Sequence, residues 1–510
     1  MKKLIYFIIA ALLSLSFCSC SSASDSASDN YSNVKVISAK YQNLWPLVNA
    51  KPDNSTSKTP LFKFRKGKYY GVINEAGKVI ADAVYEDILN YQDGFVSVKK
   101  NKKYGLINYK GKVIAKTGYD SLSSFSCGLA CVKRMNKSGF INTSGKEVIS
   151  VKYDKAFDFI DGIAPVCIKD KWGLINKKGT WILEPKYAQI GYTTGDENEI
   201  QVSFADGIAP VKDISGKWGY IDKAGREIIP PMFDAAYSSK NGFAAFVKDH
   251  KMGLATIKGV VLKPSYDNIG EFDKSDIAWF SLNNMTGLLN SAMKVVLEAA
   301  PYNVINAISP DGYYTICKDN KWGAVNKTGR FIINPQYDRM GSFYNGLAYI
   351  LIKGKIGYIN SKNNRVIPAE FNTTSGLDSD FTFGNAIVVQ NGKYGIINTK
   401  GRYIVKPGYD LITKDFSNKL YIIRLGSKYG VLDSKGRIIL KPVYSDIRIS
   451  NSIICAYKNS SARLYDTDGN AITKKSYNIL TVNNAVLSDS CTVFTFIEHG
   501  KYGAVIVRKK

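Results

Sequence analysis

One glycine, returning about every 34 residues, restricts what this chain can fold into. Starting from Gly71, its equivalents fall at Gly105, Gly139, Gly173, Gly219, Gly253, Gly287, Gly323, Gly357, Gly395, Gly430 and Gly503, with Arg463 in one slot. The spacing of 34 recurs six times, and the others lie between 33 and 46. A period of this size marks a repeat architecture, in which a small unit is stable only against its neighbours.

Other residues move in register with the glycine. An aromatic precedes it in Tyr70, Tyr104, Trp172, Trp218, Trp322, Tyr394, Tyr429 and Tyr502. Asn or Asp follows three residues later, as in Asn74, Asn176 and Asp433, and a second Gly three beyond that, as in Gly77, Gly179 and Gly436. Asn-x-x-Gly is a type I turn signal whose Gly takes the left-handed position of a bulge. It joins two short strands rich in β-branched and aromatic residues, such as Trp172–Asn176 and Thr180–Leu183. A further strand begins at Gly162-Ile-Ala-Pro-Val166 and closes at a polar turn, Asp170-Lys171. Each unit is therefore about three strands plus a Tyr-Asp segment (Tyr153-Asp154, Tyr266-Asp267, Tyr409-Asp410) that forms a fourth strand or a helical turn.

The N-terminus reads differently. Lys2 and Lys3 precede an apolar run, Leu4–Leu15, too short for a permanent membrane helix and suited to a secretory signal. The run ends in Phe17-Cys18-Ser19-Cys20 and resembles the lipobox of bacterial lipoprotein precursors, with Cys20 as the lipid-attachment residue behind the small Ser19. Phe17 departs from the aliphatic residue usual there. The expected organisation is a signal peptide at 1–19, a Ser-rich tether at 20–33, a partial or capping unit at 34–60, and the repeat array at 61–510. The chain is thus expected to be exported and lipid-anchored in the bacterial cell envelope.

The run Lys-Trp-Gly-x-Ile-Asn-x-x-Gly resembles the WG (KWG) repeat of bacterial surface and envelope proteins, over nearly the whole of 61–510. Departures are local: Ala462-Arg463 replaces aromatic-Gly, Met293 and Asn363 replace the second Gly, and the last copy is cut short at Lys510. The resemblance implies an all-β repeat scaffold with no common activity. The expected fold is a tandem array of about thirteen units forming an open curved β-superhelix or solenoid, with one or two β-propeller-like rings as the alternative.

Charge supplies the candidate site. With 69 Lys+Arg against 43 Asp+Glu the formal net charge is +26. Lys103, Lys137, Lys171, Lys217, Lys251, Lys321, Lys355, Lys393, Lys428 and Lys501 stand two residues before the repeat Gly. Lys78, Lys112, Lys146, Arg226, Arg330, Arg402 and Arg437 follow the second Gly. Stacking would align these as two cationic ridges, suited to an anionic envelope polymer, a protein partner or an anionic bilayer surface. The competing reading is that turn lysines merely keep strand edges soluble. The Trp/Tyr-Gly positions read as core filling more than as a sugar-stacking ladder.

Catalysis finds little footing. There are only two His, and His250 and His499 occupy turn positions, so no nucleophile–base set can be built and no enzyme activity is expected. Asp466-Thr-Asp-Gly-Asn470 matches the ordinary turn and not a calcium loop, and no metal or other cofactor is expected. Cys127, Cys131, Cys167, Cys317, Cys455 and Cys491 lack metal spacing, and a Cys131–Cys167 bridge between units is conceivable. The alternative functions are a purely structural spacer, or a wall-active hydrolase using Asp196, Glu197 and Glu199 in the irregular 186–205 insertion. Nucleic acid suits the charge but not an envelope location.

Overall fold

A computed structural model describes residues 33–47, 60–193, 200–201, 204–373, 379–415, 417–488 and 491–508. The Gly173 unit shows how the repeat folds. Strands Lys155–Ala156, Ile163–Ile168, Lys171–Asn176 and Trp181–Tyr187 form one antiparallel sheet in chain order. The Tyr-Asp segment therefore leads into a short fourth strand and not a helical turn. A two-residue turn, Lys169-Asp170, with φ of 48° and 58°, links the second and third strands. Such a turn has the twist a tight hairpin needs. At the next turn the Asn176 Oδ1 accepts from the N–H groups of Lys178 (2.9 Å) and Thr180 (3.1 Å), with Gly179 at φ 78°.

Gly173 is required by a crossing strand. Its partner strand slips register between Trp172↔Tyr187 and Leu174↔Leu183. A Cβ on Gly173 would stand 2.5 Å from the Leu183 carbonyl oxygen. The Arg463 unit shows the converse. With Arg in the glycine slot the sheet stops at three strands, Asp446–Ser450, Ile453–Lys458 and Ser461–Tyr465. Only the bridges Ala462↔Tyr477 and Tyr465↔Ala471 remain where a fourth would lie.

Sheets pack face to face along the chain. Adjacent residues point to opposite neighbours: Ile175 joins the cluster of Phe140 and Ile149 in the unit before, Leu174 that of Ile190 and Phe204 in the unit after. Both faces are buried, so the strand reads as a continuous apolar run, and each such Leu or Ile contributes roughly 1.5–3 kcal/mol over its exposed state. Ten four-stranded sheets, one three-stranded sheet and a seven-stranded sheet shared by two units make thirteen units among the described residues. The tandem all-β repeat array is thus what forms, solenoid-like in that each sheet packs on its sequence neighbours.

The two ends of the array also meet. Asn33–Tyr41 pairs with Lys501–Arg508, from Asn33↔Arg508 through Ile37↔Ala504 to Tyr41↔Tyr502, and completes the last sheet. Ile37, Leu44, Phe62 and Ile73 from the beginning share one buried cluster with Val493 and Ile506 from the end. Glu75 clamps the join, accepting from Lys35 at 2.5 Å and from Arg508. A linear stack has one junction fewer than it has units. Here thirteen apolar clusters serve thirteen units, one at every junction.

Candidate functional site

The lysines before the repeat glycine do form a register-locked row, but most of it is neutralised. Lys217 meets Asp234 at 2.7 Å, Lys251 meets Asp267 at 2.5 Å, Lys321 meets Asp338 at 2.6 Å and Lys393 meets Asp410 at 2.5 Å. Lys103 pairs with Asp120 and Lys137 with Asp154 in the same way. Lys355 donates to Asn372 instead. Each Asp is that of the Tyr-Asp (or Phe-Asp) pair opening the next unit, and the second oxygen of Asp120, Asp154, Asp234, Asp267 and Asp410 accepts a turn N–H of that unit. Asp154 takes that of Lys169 at 2.8 Å, and Asp234 that of Asp249 at 2.9 Å. The Asp is therefore a fork between the lysine of one unit and the hairpin turn of the next. Bonding to these lysines holds Asp120, Asp154, Asp234, Asp267 and Asp410 below the usual carboxylate range.

Lys171 and Lys428 have no such partner, because Ala188 and Ser445 stand where the next unit's Asp would be. The aspartates are the residues the sequence reading missed as ridge partners. Their signal was a Lys-to-Asp spacing of 17 residues, as at Lys103–Asp120 and Lys137–Asp154 (16 at Lys251–Asp267), which crosses from one unit into the next.

The second basic set has a different setting. Lys78, Lys112, Lys146, Arg330 and Arg402 are exposed, and no ion pair engages them among the described residues. Arg226 and Arg437 fold back on Asp222 and Asp433 at 2.7 and 2.6 Å. The turns carrying this set ride on the preceding unit. Gly329, at φ 78°, would put a Cβ 1.7 Å from the Val296 carbonyl oxygen. That close approach seats the turn directly on the Val295–Ala300 strand of the unit before. Between two such turns lies a cleft of about 620 Å³ lined by Asn290, Ser291, Lys294, Lys327 and Thr328, with Asp276 at its wall.

The remaining candidates resolve locally. Trp172 is buried, and Tyr70, Trp218, Trp322, Tyr394, Tyr429 and Tyr502 pack against the junction cores, so the repeat aromatics do not form an open ladder. His250 and His499 sit in turns at φ 61° and 50°. The Asp466 carboxylate is taken by the N–H groups of Asp468 and Asn470 and by the Asn470 amide. Among the described residues no three His, Cys, Asp or Glu side chains converge as metal ligands would. The six described cysteines are free, so no Cys131–Cys167 bridge is made. Burial pushes the Cys131 thiol up to about 12 and the Cys455 thiol to about 11, which disfavours the thiolate in both. Cys20, the signal segment, and Asp196, Glu197 and Glu199 lie outside the described residues. No helix among the described residues is long and apolar enough to cross a membrane.

Comparison with known proteins agrees with the repeat. The WG-containing repeat matches residues 70–104, 104–137, 139–172, 172–196, 218–251, 258–285, 322–355, 356–394, 394–429 and 429–460. No curated protein sequence matches the chain. Among solved structures, the extracellular domain of the one-component system BT4673 from B. thetaiotaomicron is 10% identical, over 94% of this chain and 83% of that one, with a TM-score of 0.21. PorZ, a bacterial surface component of the type-IX secretion system of Porphyromonas gingivalis, is 8% identical over 92% and 86%, with a TM-score of 0.20. Superpositions this loose carry no argument about function.

Proposed function

This chain belongs to the WG-containing repeat family, and from that premise we propose that it is a non-catalytic binding scaffold, exported and held at the cell envelope by a lipid on Cys20. Its ligand is an anionic envelope polymer, gripped at many weak points along the array; a protein partner is the alternative. The observation that carries the reading is the set of exposed cations on the Asn-x-x-Gly turns that meet no ion-pair partner among the described residues, at Lys78, Lys112, Lys146, Arg330 and Arg402. Repetition at a fixed interval suits a repetitive polyanion, because each further contact becomes intramolecular once the first is made. The lysines before the repeat glycine play a smaller part, since aspartate already meets the charge of six of them.

The test is retention of the protein on acidic polysaccharide and teichoic acid at low and high salt. Replacing Lys112, Lys146, Arg330 and Arg402 together by Gln is expected to weaken retention and flatten its salt dependence. Replacing Lys217, Lys321 and Lys393 by Gln is expected to change it much less. Retention that survives about 0.5 M salt, where charges are screened beyond roughly 5 Å, would remove the electrostatic reading. For the anchor, Cys20→Ser is expected to release the protein from the membrane fraction; a protein that stays there is held by other means.

A further inference from the structure

A different kind of site opens where the repeat loses a ring. In the Gly173 unit, Trp172 is buried and stacks on Phe157, ring centroids 5.1 Å apart and 16° from parallel. The indole fills the junction with the following unit, beside Ile190 and Phe204. In the Gly253 unit the same two places hold Met252 and Tyr237. A thioether cannot replace an indole face, and Tyr237 is left 49% exposed. The result is a cleft of about 360 Å³ between this unit and the next, lined by Tyr237, Met252 and Leu254 from one and Ile269 from the other, with Phe243 and Phe272 closing its floor in ring contact at 4.5 Å. That is the size of a small-ligand pocket, about 300–1,000 Å³.

Two polar features mark the same cleft. Lys240 and Glu271 line it from opposite units and pair at 2.6 Å, their side chains 62% and 64% exposed. An ion pair so exposed contributes little and is readily exchanged for charges on a ligand. The Ser238 hydroxyl, also in the lining, is buried and has no hydrogen-bond partner among the described residues.

We propose that this cleft binds a free aromatic amino acid. The planar ring takes the place of the missing repeat ring, against Tyr237 and over the Met252 side chain. The zwitterionic head divides the Lys240–Glu271 pair, its carboxylate on the Lys240 ammonium and its ammonium on the Glu271 carboxylate. Ser238 offers the ring's N–H or O–H a partner. The site is independent of the turn cations.

The experiment is calorimetric titration of the full chain with L-tryptophan, indole, N-acetyltryptophanamide and L-leucine. Expected is one site for L-tryptophan, weaker binding of indole and N-acetyltryptophanamide, and no heat from L-leucine. Met252→Trp, which supplies the repeat's own ring, should weaken L-tryptophan at least about tenfold without lowering the melting temperature. Glu271→Gln should weaken L-tryptophan and leave indole unchanged. Should Met252→Trp fail to fold, Tyr237→Ala tests the same wall. No binding of L-tryptophan, or full binding by both Met252→Trp and Tyr237→Ala, overturns the proposal. N-acetyltryptophanamide binding as tightly as L-tryptophan overturns the free amino acid as ligand and points to a side chain within a peptide.

Discussion

In the Gly173 unit all four strands follow one another between residues 155 and 187, whereas the Gly503 unit draws three strands from residues 479–508 and its fourth from Asn33–Tyr41. The two sheets obey the same rules. Gly503 would drive a Cβ to 2.6 Å from the Ile37 carbonyl oxygen, as Gly173 would to the Leu183 oxygen, and both show the same slip of register. What differs is that short covalent turns connect every strand of one sheet, while in the other the first strand is held only by the backbone ladder and by side chains. Hence the ion trio at the join: Glu75 is largely buried, and Arg508 and Lys35 outweigh its desolvation to hold its carboxyl below its ordinary value.

The largest effect should come from taking the borrowed strand away. A chain beginning at residue 43 is expected to lose more than about 5 kcal/mol, because truncating even one buried Ile or Leu costs roughly 2–5 kcal/mol. It should also self-associate through the uncovered edge of Lys501–Arg508. Calorimetry and size-exclusion chromatography read both, and a peptide of residues 33–41 added in trans should restore the melting temperature. An unchanged melting temperature would mean that the join adds nothing to stability.

Next in size, Gly329→Ala meets both a left-handed backbone and the Val296 carbonyl, and should cost about 3 kcal/mol or more. Gly67→Ala, at φ 62° with open space around it, should cost only about 1–2 kcal/mol. Equal losses in urea titrations would show that inter-unit approach does not matter. Glu75→Gln should cost about 2 kcal/mol at neutral pH. The depressed Glu75 carboxyl adds stability that is full above its ordinary value of 4.5 and lost as pH falls through its folded value. The variant should therefore show a flatter melting profile below that pH than the native chain. The smallest effect belongs to Ala188→Asp, which gives Lys171 the partner its counterparts have. A gain of a few tenths of a kcal/mol is expected, as for other exposed pairs.

The thirteen units, their turns and their strands were legible because the glycine and asparagine positions answer to backbone geometry and so recur almost unchanged. The join was present in the sequence but unread. Val36-Ile-Ser-Ala-Lys-Tyr41 repeats Val148-Ile-Ser-Val-Lys-Tyr153 with a single difference, yet it has no glycine of its own to place it in register. Counting from glycines finds third strands, and this is a fourth strand parted from its unit. The lysine ridge was legible as a row but not as a set of ion pairs, since the Tyr-Asp aspartate was read within its own unit and acts between two. The cleft at Met252 was hidden for another reason. A missing ring is only an irregularity in a string of letters, and becomes a space when the neighbouring sheet is in position.

The join also has a consequence in time. A chain made from its N-terminus has Glu75 in hand long before Arg508, 433 residues later. At about 5–20 residues per second that interval is roughly 20 to 90 seconds. Throughout it, Asn33–Tyr41 has no partner to pair with, and the growing stack ends in a sheet with one bare face. Among the described strands the first to appear is the last to be used, and the array closes only when it meets Lys501–Arg508.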